Sequence, residues 1–327
     1  MILSTDYDAL TEQLNESFNE AARLATADWV GRQLFDVFDT DWKTYNYLVL
    51  HGMGNLRRVA EGSELPTATS VEGDEATFTQ KRYGEKIIVT KDMRMFDRTD
   101  QALELVRTVT EEAFDKIDTA MAEVLLNGFT GTSYTDPFGD VQSNLAPDGV
   151  VLFSASHTNN LNSTTARNLI RNSAGTANPA LSRDAIIKAR ADALGFRDPN
   201  GVNRPIRLDT LIVSAANEDL AYRLVNSPNL PGGPDNDINR LGGLIRNIIV
   251  WPKLDQNFAG TDTSAYWFLA DSRNIKRTLK APFAQRPMLH PSAQKEDSLN
   301  WIYPLDAYFA LGIGWPFAIW GSTGVNS

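Results

Sequence analysis

The stretch VLFSASHTNNL, residues 151–161, places Ser154, Ser156 and His157 within four positions of one another. A serine hydroxyl attacks a carbonyl only when a base takes its proton, and an imidazole is the side chain best suited to that at neutral pH. The same imidazole could instead ligate a metal. Three histidines are available, His51, His157 and His290, far apart in sequence and without the short spacing that puts two ligands on one helix face. The chain has no cysteine, which removes a Cys nucleophile, a thiolate zinc site and a disulfide framework. A Ser-His pair is defined by geometry rather than by neighbouring positions. The reading that fits these residues is that His157 fastens a loop by hydrogen bonds; a serine hydrolase using Ser154 or Ser156 is the remote alternative.

Other reactive patterns are near misses. The dipeptide Gly-Lys of a phosphate loop occurs nowhere. GIGWPF begins like a dinucleotide fingerprint, but Phe317 stands where the third glycine must let a helix approach pyrophosphate. RNSAG has Arg171 in place of the first glycine of a nucleophile elbow. DNDINR opens like a calcium loop, yet Arg240 replaces the turning glycine and Arg246 the bidentate glutamate. Glu111, Glu112 and Asp115 share a helical stretch and read as a solvated face. No cofactor is expected.

The elements that must position these residues are mixed. The chain has 327 residues, 42% of them hydrophobic, with a formal net charge of -10. That charge argues against a nucleic-acid reader, which needs clustered Lys and Arg to displace counterions. No apolar run is long enough to cross a membrane, and the start lacks the pattern of a signal peptide, so the chain is expected to stay in the cytoplasm where it is made. Asp6, Asp8, Glu12, Glu16 and Glu20 alternate with Leu10, Leu14 and Phe18 at helical spacing. That stripe is too small to fold alone and must pack on its own body or on another subunit.

From Asn55 to Thr90 the pattern becomes a long hairpin: NLRRVA outward, EGSELPTATSVEGDE at the tip, ATFTQKRYGEKIIVT returning. The tip carries Glu61, Glu64, Glu72, Asp74 and Glu75, no Lys or Arg, and almost no large apolar residue. It is either a mobile acidic surface loop or an arm ordered only against a neighbour.

A long amphipathic helix is expected over 99–127, capped by Thr99, closed by Gly128 and striped with Ala102, Val106, Val109, Ala113, Ile117, Ala120 and Val124. Ser182 is expected to cap a further helix whose buried side is Ile186, Ile187, Ala189 and Leu194, followed by a turn at Asp198, Pro199, Asn200 and Gly201. Strands and helices then follow without a regular alternation, which gives an α+β class.

This order of elements resembles the major capsid proteins of tailed phages, which share the Hong Kong 97-like capsid fold. VLFSASHTNNL is similar to a short F-x-x-x-H-x-N segment that follows the long helix in that family, and ALSRDAIIKARADALGF and GGLIRNIIVWPKL follow in the family's order. The resemblance runs from about Arg32 to Trp320 and rests on the ordered set rather than on one motif.

It implies an N-terminal helix and arm (1–50), an extended hairpin loop over an adjacent subunit (51–83), and a peripheral domain with its spine helix (84–180, helix 99–127). An axial domain (181–300) and strands returning to the peripheral domain (301–327) complete the expected plan. Gly232, Gly233, Asp235 and Asp237 become candidates for the loop nearest the capsomer axis. Arg94 and Arg98, or Arg273, Lys276 and Arg277, are candidate partners for the acidic tip.

The implied function is a self-assembling head protein that forms hexamers and pentamers of an icosahedral shell around double-stranded DNA. The implied partners are further copies of the chain, with portal, scaffolding and decoration proteins, and no membrane. The shell would assemble in the host bacterial cytoplasm and reside in the virion. An acidic subunit suits a container, since a basic wall would hold the packaged phosphates. Some family members crosslink through a Lys in the extended loop; no Lys lies between Leu56 and Gln80, so that chemistry is not expected. About thirty residues precede the arm, so a scaffold is expected to be a separate protein or already removed. An encapsulin-type nanocompartment shell, which encloses an enzyme instead of a genome, is the nearest alternative.

Overall fold

A computed structural model describes residues 4–51, 58–65, 71–96, 101–158, 165–198, 201–229, 238–291, 293–294 and 300–324. The chain forms two compact units, one of residues 1–45, 78–121 and 281–311, the other of residues 46–77, 122–280 and 312–327.

The first unit is built where the amphipathic stripes meet. The N-terminal helix, Ser4–Asp28, buries Leu14 and Phe18 against Ala102 and Val106 of the long helix and against Ile87, Val89, Tyr303 and Leu305. Leu14 and Phe18 are therefore covered by their own chain. The long helix spans Gln101–Leu126, about 39 Å at 1.5 Å per residue. Ala102, Val106, Phe114 and Ile117 lie on its buried stripe, whereas Glu111, Glu112 and Asp115 face solvent. The expected cap, Thr99, lies outside the described residues. Beside these helices, strand Trp301–Phe309 pairs antiparallel along its whole length with Lys81–Val89, from Trp301 opposite Val89 to Phe309 opposite Lys81. It also pairs with Leu279–Leu289, through a register shift between Gln285 and Met288.

The hairpin differs from the sequence expectation. Its outgoing strand is Thr44–His51, well before NLRRVA, and it pairs with Val71–Thr79. Residues 71–75, assigned to the tip by their charge, belong to the returning strand, because Ala76 and Phe78 alternate inward and fix a period of two through that segment.

In the second unit a four-stranded sheet runs in the order Asn247–Val250, Thr210–Val213, Trp267–Ala270, Ile319–Ser322, with only the first pair parallel. Every residue of Thr210–Val213 and Trp267–Ala270 is buried, as central strands covered on both faces require. Helix Arg183–Leu194 starts at Ser182, whose hydroxyl accepts from the Ala185 N–H at 3.3 Å. Its buried stripe is Ala185, Ile186, Ala189 and Ala193. Ile187 and Leu194, expected inside, are 39% and 43% exposed because the narrow alanine stripe turns them to the flank.

Gly128 also departs from expectation. It is not in the left-handed conformation of a helix-closing glycine; a Cβ there would stand 3.0 Å from the Phe153 ring, so close packing explains it.

One five-residue turn recurs at 136–140, 146–150, 172–176, 198–202 and 257–261. In each, the first N–H donates to the fifth carbonyl, and the N–H of a glycine at position four donates to the first carbonyl. Those glycines, Gly139, Gly149, Gly175, Gly201 and Gly260, have φ between 75° and 90°, a region that penalises any side chain. Asp136, Asn172, Asp198 and Asn257 reinforce their turns by accepting from the fifth N–H through Oδ1 at 2.8–2.9 Å.

Candidate assembly surfaces and their anchors

His157 stands on the short strand His157–Thr158, paired with Thr165–Ala166, and is fully buried. The turn at 146–150 brings Asp148 to it, and Asp148 Oδ2 lies 2.8 Å from Nδ1. On the other side Nε2 lies 3.1 Å from the Leu152 carbonyl and 3.1 Å from Asn168 Oδ1. The orientation of Asn168 is set independently: its Nδ2 donates to the carbonyls of Leu152 (2.6 Å) and Pro316 (3.0 Å), and its Oδ1 accepts from the Ser154 N–H. Phe317, the residue that spoiled the dinucleotide pattern, packs its ring edge-on to the imidazole at 5.2 Å.

Both ring nitrogens thus face oxygen partners other than a serine hydroxyl. Ser154 Oγ accepts from the Ser156 N–H at 3.1 Å, and among the described residues neither serine hydroxyl bonds to His157. The arrangement ties the 146–158 loop to the chain near Pro316; it does not prepare a nucleophile.

A second cluster sits at the root of the hairpin. Gln80 is 5% exposed, and its Nε2 donates to the Trp42 carbonyl while its Oε1 accepts from the Ala284 N–H. Its own N–H donates to the Lys43 carbonyl, so one side chain clasps both ends of the arm to the sheet. Two positions on, Arg82 reaches Asp306 through Nε at 2.8 Å and Nη2 at 2.6 Å. Asp306 Oδ1 also accepts from Gln285 and from His290, each at 2.6 Å. Burial by itself would raise the Asp306 carboxyl, but hydrogen bonds from His290, Arg82 and Gln285 outweigh it and hold the group below the usual carboxylate range. Nothing in the sequence pattern singled out Gln80 or Asp306, since their partners come from distant segments.

A third anchor is Glu123, 2% exposed on the long helix. It accepts from the Phe258 N–H and from Asn127 Nδ2, each at 2.6 Å. Burial pushes its carboxyl up, and the two hydrogen bonds only partly oppose that.

The predicted contact residues are distributed as follows. Glu61 and Glu64 are exposed near the tip, beside Leu65, which is 82% exposed. Asp74 and Glu75 lie on the returning strand, where Glu75 is exposed and Asp74 half-buried; Glu72 is on the same strand, with its side chain outside the described residues. Arg273, Lys276 and Arg277 are exposed together, with the Arg277 guanidinium 5.2 Å above the Trp315 ring. Arg98 and the side chain of Arg94 lie outside the described residues, as do Gly232, Gly233, Asp235 and Asp237. Among the described residues no cluster of three or more His, Asp or Glu could hold a metal, and no helix is long and apolar enough to cross a membrane.

A buried clasp beside a two-stranded ribbon and a histidine held by oxygen partners are structural arrangements. The fold is α+β and Hong Kong 97-like. It is similar to the capsid of cyanophage P-SCSP1u, at 11% identity and a TM-score of 0.53, covering 90% of this chain and 87% of that one. It is also similar to a virus-like particle from Pyrococcus furiosus, at 12% identity and a TM-score of 0.50, covering 95% and 98%. The capsid of a native GTA particle matches at 10% identity and a TM-score of 0.50, covering 90% and 89%. No curated protein matches the sequence. The pattern of the phage capsid protein family matches residues 74–318, and the chain belongs to that family: it is a major capsid protein.

Proposed function

We propose that this capsid protein forms the icosahedral head of a tailed phage or prophage from hexamers and pentamers around double-stranded DNA, with its hairpin arm lying on an adjacent subunit. The observation that carries the arm's role is the contrast between its two ends. The root is buried and clasped by Gln80 and Asp306, while the tip leaves Leu65 82% exposed among carboxylates. The chain itself buries Val49, Ala76 and Phe78 on the ribbon, so it is the exposed segment 61–65 that a neighbour's surface covers. Contacts repeated around a closed shell can each be modest and still hold.

In this reading residues 51–83 are the extended loop, 84–180 and 301–327 the peripheral domain and 181–300 the axial domain, with 230–237 toward the capsomer axis. The carboxylates of the arm meet a basic surface, for which Arg273, Lys276 and Arg277 offer exposed charge. Ser154, Ser156 and His157 are structural, with no catalytic part. Assembly takes place in the host bacterial cytoplasm, with portal, scaffolding and decoration proteins as the further partners.

The test is the content and mass of particles from the expressing host. Shells that hold nuclease-protected DNA support the reading; shells that hold a specific enzyme and no DNA would make the chain a nanocompartment subunit instead.

A further inference from the structure

The charge of the arm's tip suits a basic partner, and Leu65 beside it, 82% exposed, suits an apolar one. Within the first unit, the N-terminal helix, the long helix and strand Leu279–Leu289 enclose a groove of about 490 Å³. Its floor includes Trp29, Phe114 and Phe283, with Trp29 set edge-on to both phenylalanines at 6.1 and 6.3 Å. Arg23, Arg32 and Arg286 line its sides and are exposed, and none of the lining residues is acidic. Arg286 is paired with Asp39, which leaves Arg23 and Arg32 to set the charge an incoming chain meets. Trp29 is 7% exposed and its indole N–H is buried without an acceptor among the described residues.

We infer that this groove receives the tip of the hairpin arm from a second copy of the chain, with Leu65 on the aromatic floor and Glu61 and Glu64 against Arg23 and Arg32. The match is in both charge and polarity. The segment 61–65 offers two carboxylates, no cation and one large apolar side chain that its own chain leaves uncovered. The groove offers arginines over an apolar hollow large enough for a leucine and its backbone. The patch at Arg273, Lys276 and Arg277 answers the charge of the tip; the groove answers its charge and its leucine. This inference rests on the reading that the arm crosses to a neighbour and names where it lands.

The chain's lack of cysteine makes a direct test clean. Particles of a variant carrying Leu65→Cys and Ala27→Cys, both at exposed positions with Ala27 on the groove, are treated with a short bis-maleimide and run on a denaturing gel. A ladder of covalent multimers, beyond the background of either single variant, is expected; monomer alone from intact particles overturns the inference.

Charge reversal gives a second readout that does not depend on the linker. Arg23→Glu with Arg32→Glu, and separately Glu61→Arg with Glu64→Arg, should each lower particle yield about tenfold. Combining all four in one chain should restore it, since every groove then meets a reversed tip. Failure of the combined chain to recover, with both pairs folded by circular dichroism, overturns the pairing. If tip reversal blocks assembly while groove reversal does not, the groove is wrong and the arm's role stands. If neither affects assembly, the arm's role fails with it.

Discussion

Arg82 reaches diagonally across the ladder between Lys81–Val89 and Trp301–Phe309, from its place opposite Tyr308 to Asp306 opposite Gly84, with Nη2 2.6 Å from Oδ2. Asp306 is 5% exposed and receives two further hydrogen bonds, from Gln285 and His290, so its negative charge organises the root of the arm.

The consequence is an acid-sensitive root. The folded Asp306 carboxyl titrates below its ordinary value of about 4. Its stabilising contribution is therefore complete above that value and is lost as pH falls through the lower folded value. Asp306→Asn should cost about 1–3 kcal/mol at neutral pH, because the charge-assisted bonds weaken, and should flatten the loss of stability below pH about 4. Urea unfolding across a pH series measures both; an unchanged acid limb in the variant would remove Asp306 from this role.

Replacing His157 with Ala should destabilise the subunit by about 1–3 kcal/mol, since it removes the ring that bridges Asp148 Oδ2 to the Leu152 carbonyl and Asn168 Oδ1 in the interior. Asn168→Ala should cost about 2–3 kcal/mol, through the Pro316 carbonyl and the Ser154 N–H left without this partner. Neither the parent chain nor any Ser154 or Ser156 variant should hydrolyse an activated ester above the buffer rate. Hydrolysis that disappears with Ser154→Ala would contradict the structural reading.

Glu123 should show the opposite pH behaviour to Asp306. Burial raises its folded carboxyl above the unfolded value, so ionisation opposes folding, and the fold gains stability as pH falls through the raised value. Glu123→Gln should unfold within about 1 kcal/mol of the parent at neutral pH and reduce that pH dependence, whereas Glu123→Ala should cost about 2–3 kcal/mol by stranding the Phe258 N–H and Asn127. A glutamine variant as damaged as the alanine one would show that the charge itself is needed.

Gly84 lies opposite Asp306 in the ladder of Lys81–Val89 with Trp301–Phe309. A Cβ there would stand 2.8 Å from the Asp306 Cβ and 2.9 Å from the Leu305 carbonyl. Gly84→Ala should cost about 1–3 kcal/mol as the ladder shifts and should speed amide exchange along Lys81–Val89 more than in the four-stranded sheet. Uniform exchange changes in both places would argue against a local effect.

The order of elements, the long helix and the Ser182 cap were readable because each rests on local periodicity or a local hydrogen bond. The start of the arm was not, since Thr44–His51 shows its role only when paired with Val71–Thr79. The five recurring turns did leave a signal in four cases, Asp or Asn three positions before Gly, but only the one at Asp198 was recognised. Asp148 as the partner of His157, and Gln80 and Asp306 as anchors, depend on contacts between separate segments. No spacing rule reports such contacts. The exposed acids Glu61 and Glu64 were legible as a charged tip; the groove that suits them is assembled from two helices and a strand.

The most direct measurement of the central claim is negative-stain electron microscopy of the purified, concentrated chain. A capsid subunit should give closed isometric particles or discrete rings of five and six subunits. A uniform population of monomers or dimers at every concentration and salt condition tried would contradict it.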